Sequence, residues 1–211
     1  MGTVFAEFDS VVEGALGSRT AERALAAAYW TFWRDLKRRV GTASGFTGLA
    51  EYLFVRFFVR ALERGLAEPF VPFRLTEHTY GFRAGHAIIT HDSEISRYVP
   101  SARKRKPDLC IFAEHDNGAR LVAAAQIKIY VAAPANLKSD LGCLRLLGRD
   151  SDALLFQILL AKPSVDQVTA LRAFCSDEFS HRAFVISEHE LGCNASLQDA
   201  ISMLLQKLRE A

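Results

Sequence analysis

The chain has no cysteine framework. Its four cysteines, Cys110, Cys143, Cys175 and Cys193, lie far apart in 211 residues and form no C-x-x-C pair. Neither a zinc knuckle nor a disulfide scaffold is therefore indicated. Two of them sit inside apolar runs, as core thiols do, and a reduced, cytoplasmic setting is expected. Long hydrophobic runs are also missing: each apolar stretch is too short or too interrupted to span a bilayer, and no membrane association is expected. The first residues carry Glu7, Asp9 and Glu13 where a secretory leader would be basic and then apolar. There is no Gly-rich phosphate loop, no G-x-S-x-G elbow and no Cys–His pairing to carry nucleophilic catalysis. Charge of one sign is scarce too, since 26 basic residues against 24 acidic ones leave a net +2. Net charge alone does not mark a nucleic-acid binder.

What the chain does have is enough apolar material for one well-cored domain: half its residues are hydrophobic and 24% charged. Its basic residues are unevenly spread, with compact clusters at Lys37-Arg38-Arg39 and Arg103-Lys104-Arg105-Lys106. Residues 18–40 read as a helix stopped by Gly41, with the aromatics Tyr29, Trp30 and Trp33 at helical spacing. A second helix is expected from Thr47 to Arg64 before Gly65. Within it Glu51 shares a stripe with Val55, Phe58 and Leu62, so a carboxylate is placed on an apolar face. Residues 69–91 predict one or two strands, and 92–106 a polar, basic loop. Residues 109–113 and 121–131 predict a hairpin. A helix over 137–147, a buried strand over 153–160, a helix over 166–175 and a short strand over 183–186 follow. The last helix is capped by Ser196 with Asp199 three residues on. This order predicts an α/β fold with a mixed central sheet flanked by helices. Residues 1–41 form an N-terminal helical extension to a domain over 42–211.

The chemistry concentrates in 103–130. Pro107-Asp108 opens one strand of the hairpin, and Gln126-Ile127-Lys128 sits deep in the other. An acid and a lysine on adjacent buried strands are costly without partners, and a metal and a phosphate would supply them. Alternation puts Gln126, Lys128 and Tyr130 on one face with Val122 and Ala124. Ile127, Ile129 and Val131 face the other way with Leu121, Ala123 and Ala125. Whether Asp108 joins the first face depends on the turn. A regular Asn117-Gly118 turn pairs it with Ile127, whereas a three-residue Asp116-Asn117-Gly118 loop, or another bulge nearby, pairs it with Gln126. His86, His91, Asp92 and Glu94 lack zinc-site spacing and read as surface residues. Gln157 either points toward the site or satisfies a sheet edge.

Pro107-Asp108, Gln126-x-Lys128 on the next strand and Glu51 on a preceding helix resemble the PD-(D/E)XK nuclease superfamily. The likeness covers roughly residues 47–186 and implies a restriction-endonuclease-like core. Gln126 stands where most members have Asp or Glu, and members related to Mrr-type restriction enzymes are similar in using Gln there. The resemblance implies a Mg²⁺-dependent endonuclease, with Mn²⁺ as substitute, acting on DNA in restriction or defence. It implies Asp108, Gln126, Glu51 and the Ile127 carbonyl as metal ligands and Lys128 as the residue that positions the attacking water. Arg103, Lys104, Arg105, Lys106 and Lys138 are expected to grip the phosphate backbone. A homodimer, with or without a companion recognition protein, fits a chain with little room for a separate reading domain. The rival expectation is a catalytically inactive relative that binds nucleic acid or a protein partner. It is motivated by Gln126, whose amide oxygen can coordinate Mg²⁺ but brings no charge.

Overall fold

The computed structural model of the protein describes residues 2–41, 48–74, 80–91, 106–116, 118–129, 134–176 and 179–211. Among these, six helices flank one seven-stranded sheet. The order is α1 (Gly2–Ala15), α2 (Ala21–Val40), α3 (Gly48–Leu66), β1 (Val71–Arg74), β2 (Tyr80–Ala84), β3 (Ala87–His91), β4 (Leu109–His115) and β5 (Gly118–Lys128). It continues with α4 (Pro134–Asp150), β6 (Leu154–Leu159), α5 (Val165–Ser176), β7 (Ala183–Ser187) and α6 (Leu197–Arg209). Strands are ordered β1 to β7 across the sheet, antiparallel from β1 to β5 and parallel from β5 to β7. The expected α/β class with a mixed sheet is found. Thr47, Asp92, Glu94, Arg103, Lys104, Arg105, Asn117 and Tyr130 lie outside the described residues. No helix among the described residues is long and apolar enough to cross a membrane.

Two apolar layers sandwich the sheet. On one face α1, α2, α3 and α6 bury Val12, Leu25, Phe54, Phe58 and Leu204 against Ile111, Ala125 and Phe156. On the other, α4 and α5 bury Leu141, Leu144, Leu171 and Phe174 against Phe112, Ala124 and Leu155. The unbroken apolar run of β6 follows from this, since it is covered on both sides. Helices α1 and α2 share the first layer: Phe8, Leu25 and Tyr29 are buried in it, and Arg56 of α3 donates to both carboxylate oxygens of Asp9 at 2.7 and 3.1 Å.

Element ends follow local chemistry. Gly41 closes α2 in the left-handed region, φ 77°, its N–H donating to the Lys37 carbonyl. Ser196 and Asp199 form the reciprocal capping box of α6, as expected. Residues 69–91 hold three strands where one or two were expected. β1 is a four-residue edge strand containing Pro72 and mostly exposed, so it carries no readable alternation.

Candidate active site

The hairpin β4–β5 sets the geometry. His115 pairs with Gly118, which takes φ 118°, and the ladder stays regular to Phe112 opposite Leu121. There the register shifts: Ile111 pairs with Ala123, and Val122 is the extra, bulged residue. Beyond it Cys110 faces Ala124 and Leu109 faces Ala125, so continuing one residue sets Asp108 level with Gln126. Of the two expected devices, a three-residue loop or a bulge nearby, the bulge is the one found: His115 pairs with Gly118, and the shift comes at Val122. The bulge also overturns simple alternation along β5. Val122 joins the α3-side layer with Ala123, and Leu121 joins the α4-side layer with Ala124.

Asp108 lies just before β4, with Pro107 buried beside it. Its Oδ2 accepts the Ile127 N–H at 2.6 Å, a short bond of the charge-assisted kind. Burial nonetheless pushes its carboxyl up to about 6. The Ile127 N–H opposes the rise, the Glu51 charge adds to it, Lys128 opposes it and Asp140 adds to it. The groups that act on Asp108 come from both sides of the sheet: Glu51 from the α3 side, and Lys128 with Asp140 from the α4 side.

Glu51, in the first turn of α3, is partly buried beside the apolar stripe of Val55, Phe58 and Leu62. Its Oε2 lies 3.2 Å from His91 Nε2. His91 ends β3 and pairs with Leu109, the residue after Asp108. His91 keeps the exposure expected of a surface residue, its side chain being 38% exposed, but its ring also meets Glu51. Strand alternation with Ala87 and Ile89, both in the α3-side layer, was the signal for it.

Gln126 is 5% exposed, and its amide N–H points at the Lys106 carbonyl over a long 3.5 Å. Gln157, fully buried on the parallel neighbour β6, donates to the Gln126 carbonyl at 3.2 Å while its own Oε1 has no hydrogen-bond partner. It supports the strand from beneath. Lys128 Nζ lies 3.2 Å from Asp140 Oδ2, an ion-pair distance. Burial raises the Asp140 carboxyl, and the Lys128 charge opposes the rise. Sequence reading missed Asp140. Its place beside Leu137, Leu141 and Leu144 on the inward face of α4 is the pattern that gives it away.

Of the expected phosphate-gripping residues, Lys106 is exposed and two residues from Asp108. Lys138 is also exposed, but helical phase turns it away from Asp140, and it lines a groove of about 320 Å³ between α4 and α5 with Leu141, Arg145 and Asp166. It is not brought to Asp108.

The donor chemistry fits a hard divalent cation. Asp108, raised to about 6 mainly by burial, lies within electrostatic reach of Glu51, and Lys128, itself 3.2 Å from Asp140, only opposes the rise. The available donors are Asp108, Glu51, the Gln126 amide oxygen and the Ile127 carbonyl, all of them oxygen. No cluster of three or more His, Cys, Asp or Glu poised for a metal occurs among the described residues, so amide and carbonyl oxygens would have to contribute. Comparison with family models, curated proteins and solved structures returns no match.

Proposed function

We propose that the protein is a Mg²⁺-dependent nuclease of the PD-(D/E)XK type, cleaving phosphodiester bonds of DNA. The observation that carries the reading is the bulge at Val122, which sets Asp108 level with Gln126 at the strand end bearing Lys128, within electrostatic reach of Glu51. The order α3, β3, β4, β5, α4, β6 is the helix–strands–helix–strand order that the resemblance implies, and supports a restriction-endonuclease-like core.

Asp108, Glu51, Gln126 and the Ile127 carbonyl would hold the ion. When bound, it supplies polarisation of the phosphate and a water of lowered pKa. The Ile127 N–H fixes the Asp108 carboxylate in one rotamer. Lys128, 3.2 Å from Asp140, would orient the attacking water and offset negative charge growing on the phosphate oxygens. Lys106 adds a backbone contact beside the scissile bond. The reading extends to a restriction or defence role and to a homodimer, which would supply the reading surface a short chain lacks.

The test is cleavage of plasmid and linear DNA by the purified protein with Mg²⁺ or Mn²⁺, beside Asp108→Ala and Lys128→Ala. The expected outcome is divalent-dependent cleavage, reduced at least about a hundredfold in each variant. Cleavage unchanged in both would reject the assigned residues. A second reading, a binding module without catalysis, draws on Gln126 contributing no charge and Lys128 being already engaged by Asp140. It requires salt-dependent DNA association that divalent ions leave unchanged.

A further inference from the structure

The second half of α2 is unlike the rest of the helix. Leu25, Ala26 and Tyr29 are buried, whereas Arg34, Lys37, Arg38 and Arg39 are exposed. At 100° per residue, Trp30, Trp33, Arg34, Lys37 and Arg38 form one stripe, opposite the face through which Phe32 packs on Phe8. The stripe is internally ordered. The Trp30 and Trp33 rings meet edge to face at 6.0 Å, and Lys37 Nζ lies 5.1 Å from the Trp33 ring centroid. With Asp35 counted against Arg34, Lys37, Arg38 and Arg39, residues 31–41 carry +3 (four basic minus one acidic). Helix-dipole complementarity accounts for cations in the last turn, but not for Arg34 or for the aromatic rings beneath the charges.

The stripe is tied to the candidate site by two hydrogen bonds. Trp30 Nε1–H donates to the Leu160 carbonyl at 3.3 Å, and the Leu160 N–H donates to the Lys128 carbonyl at 3.0 Å. α2 therefore touches the sheet at the end of the strand that carries Gln126 and Lys128. Its remaining ten residues extend about 15 Å from that point. A cleft of about 630 Å³ lies along them, lined by Thr31, Trp33, Arg34, Asp35, Lys37 and Arg38.

We propose that this half of α2 is a DNA-binding arm: Arg34, Lys37 and Arg38 contact the phosphate backbone of a duplex, beside Trp33, near the end of β5 that carries Lys128. Its binding role stands on the arm's own charge and exposure. The claim that the bound duplex is the substrate rests on the nuclease reading.

The experiment is fluorescence anisotropy of a labelled 20-base-pair duplex of mixed sequence, in EDTA, across a salt series. One variant carries Arg34→Glu, Lys37→Glu and Arg38→Glu. A charge-matched control carries Arg19→Glu, Arg23→Glu and Arg149→Glu. The arm variant is expected to lose about tenfold or more in affinity. Its log–log salt slope should be shallower by about 2.7 (three contacts at about 0.9 each) than that of the native chain, with the control close to native. Both tryptophans of the chain lie in the stripe, so duplex should also change the intrinsic emission, and Trp33→Phe should remove most of that change. No binding by the native chain, equal loss in arm and control variants, or binding without a change in emission would each overturn the arm. Normal binding by the arm variant with cleavage still lost in Asp108→Ala would reject the arm alone. Arm-dependent binding without cleavage under Mg²⁺ or Mn²⁺ would reject the hydrolytic reading alone.

Discussion

Asp108 carries the sharpest single-residue consequence. Its folded pKa of about 6 lies above the ordinary 3.8, so the folded state holds the proton longer than the unfolded chain does. Stability should therefore fall as pH rises through roughly 4 to 6, and the loss is fully present above that window. Asp108→Asn removes the buried charge while its amide oxygen can still accept the Ile127 N–H. In metal-free buffer at pH 7.5 this variant should be more stable by about 1–3 kcal/mol, with Tm higher by about 2–4 °C per kcal/mol. At pH 4 the difference should vanish. Thermal melts at the two pH values check this, and equal Tm differences at both would contradict it. Residue identities were the most legible part of the site: Asp108, Gln126 and Lys128 stood out as polar groups in apolar strands, and Glu51 as an acid on an apolar stripe. His91 and Asp140 were less visible: alternation with Ala87 and Ile89, and a stripe with Leu137, Leu141 and Leu144, mark them as inward-facing, but nothing in the sequence names the partner each one meets.

Between elements the decisive feature is the β4–β5 register, and here sequence reached its limit. The Asp116–Gly118 region announced a hairpin, but Leu121-Val122 followed by three alanines gives no local cue for the bulge. Only the demand that Asp108 meet Gln126 required an extra residue somewhere. Helix ends were easier, since Gly41 and the Ser196–Asp199 box act through contacts within a few residues. The short antiparallel strands were harder, because β1 is exposed and interrupted by Pro72. One glycine there is fixed by close approach: a Cβ at Gly81 would stand 2.3 Å from the Ile89 carbonyl oxygen across the β2–β3 ladder. Backbone cannot yield as a side chain can. Gly81→Ala should therefore destabilise the protein by about 2 kcal/mol or more, read as a lower urea midpoint with unchanged slope. A shift below about 0.5 kcal/mol would show that the hairpin relaxes freely.

Across the whole molecule, α1 and α2 do more than extend the chain. Phe8, Val12, Leu25 and Tyr29 are buried in the layer that holds α3 and α6 on the sheet. At about 1.5–3 kcal/mol for each large apolar side chain, these four alone match the net stability of a typical domain, about 5–15 kcal/mol. A chain lacking residues 1–41 is expected to aggregate or to lose its cooperative melt, and a soluble fragment with native-like unfolding would contradict that. The same packing seats Trp30 against the end of β6, so the helical layer also fixes where the basic stripe of α2 stands relative to Lys128. The central claim is that Asp108, Glu51, Gln126 and the Ile127 carbonyl form one divalent-ion pocket. Crystals of the protein with a non-cleavable DNA duplex, soaked in Mn²⁺, test it most directly through anomalous scattering. A peak within coordination distance of the Asp108 carboxylate, lost in Asp108→Ala, is the predicted result. A peak elsewhere, or none at Asp108 with the duplex bound, would contradict it.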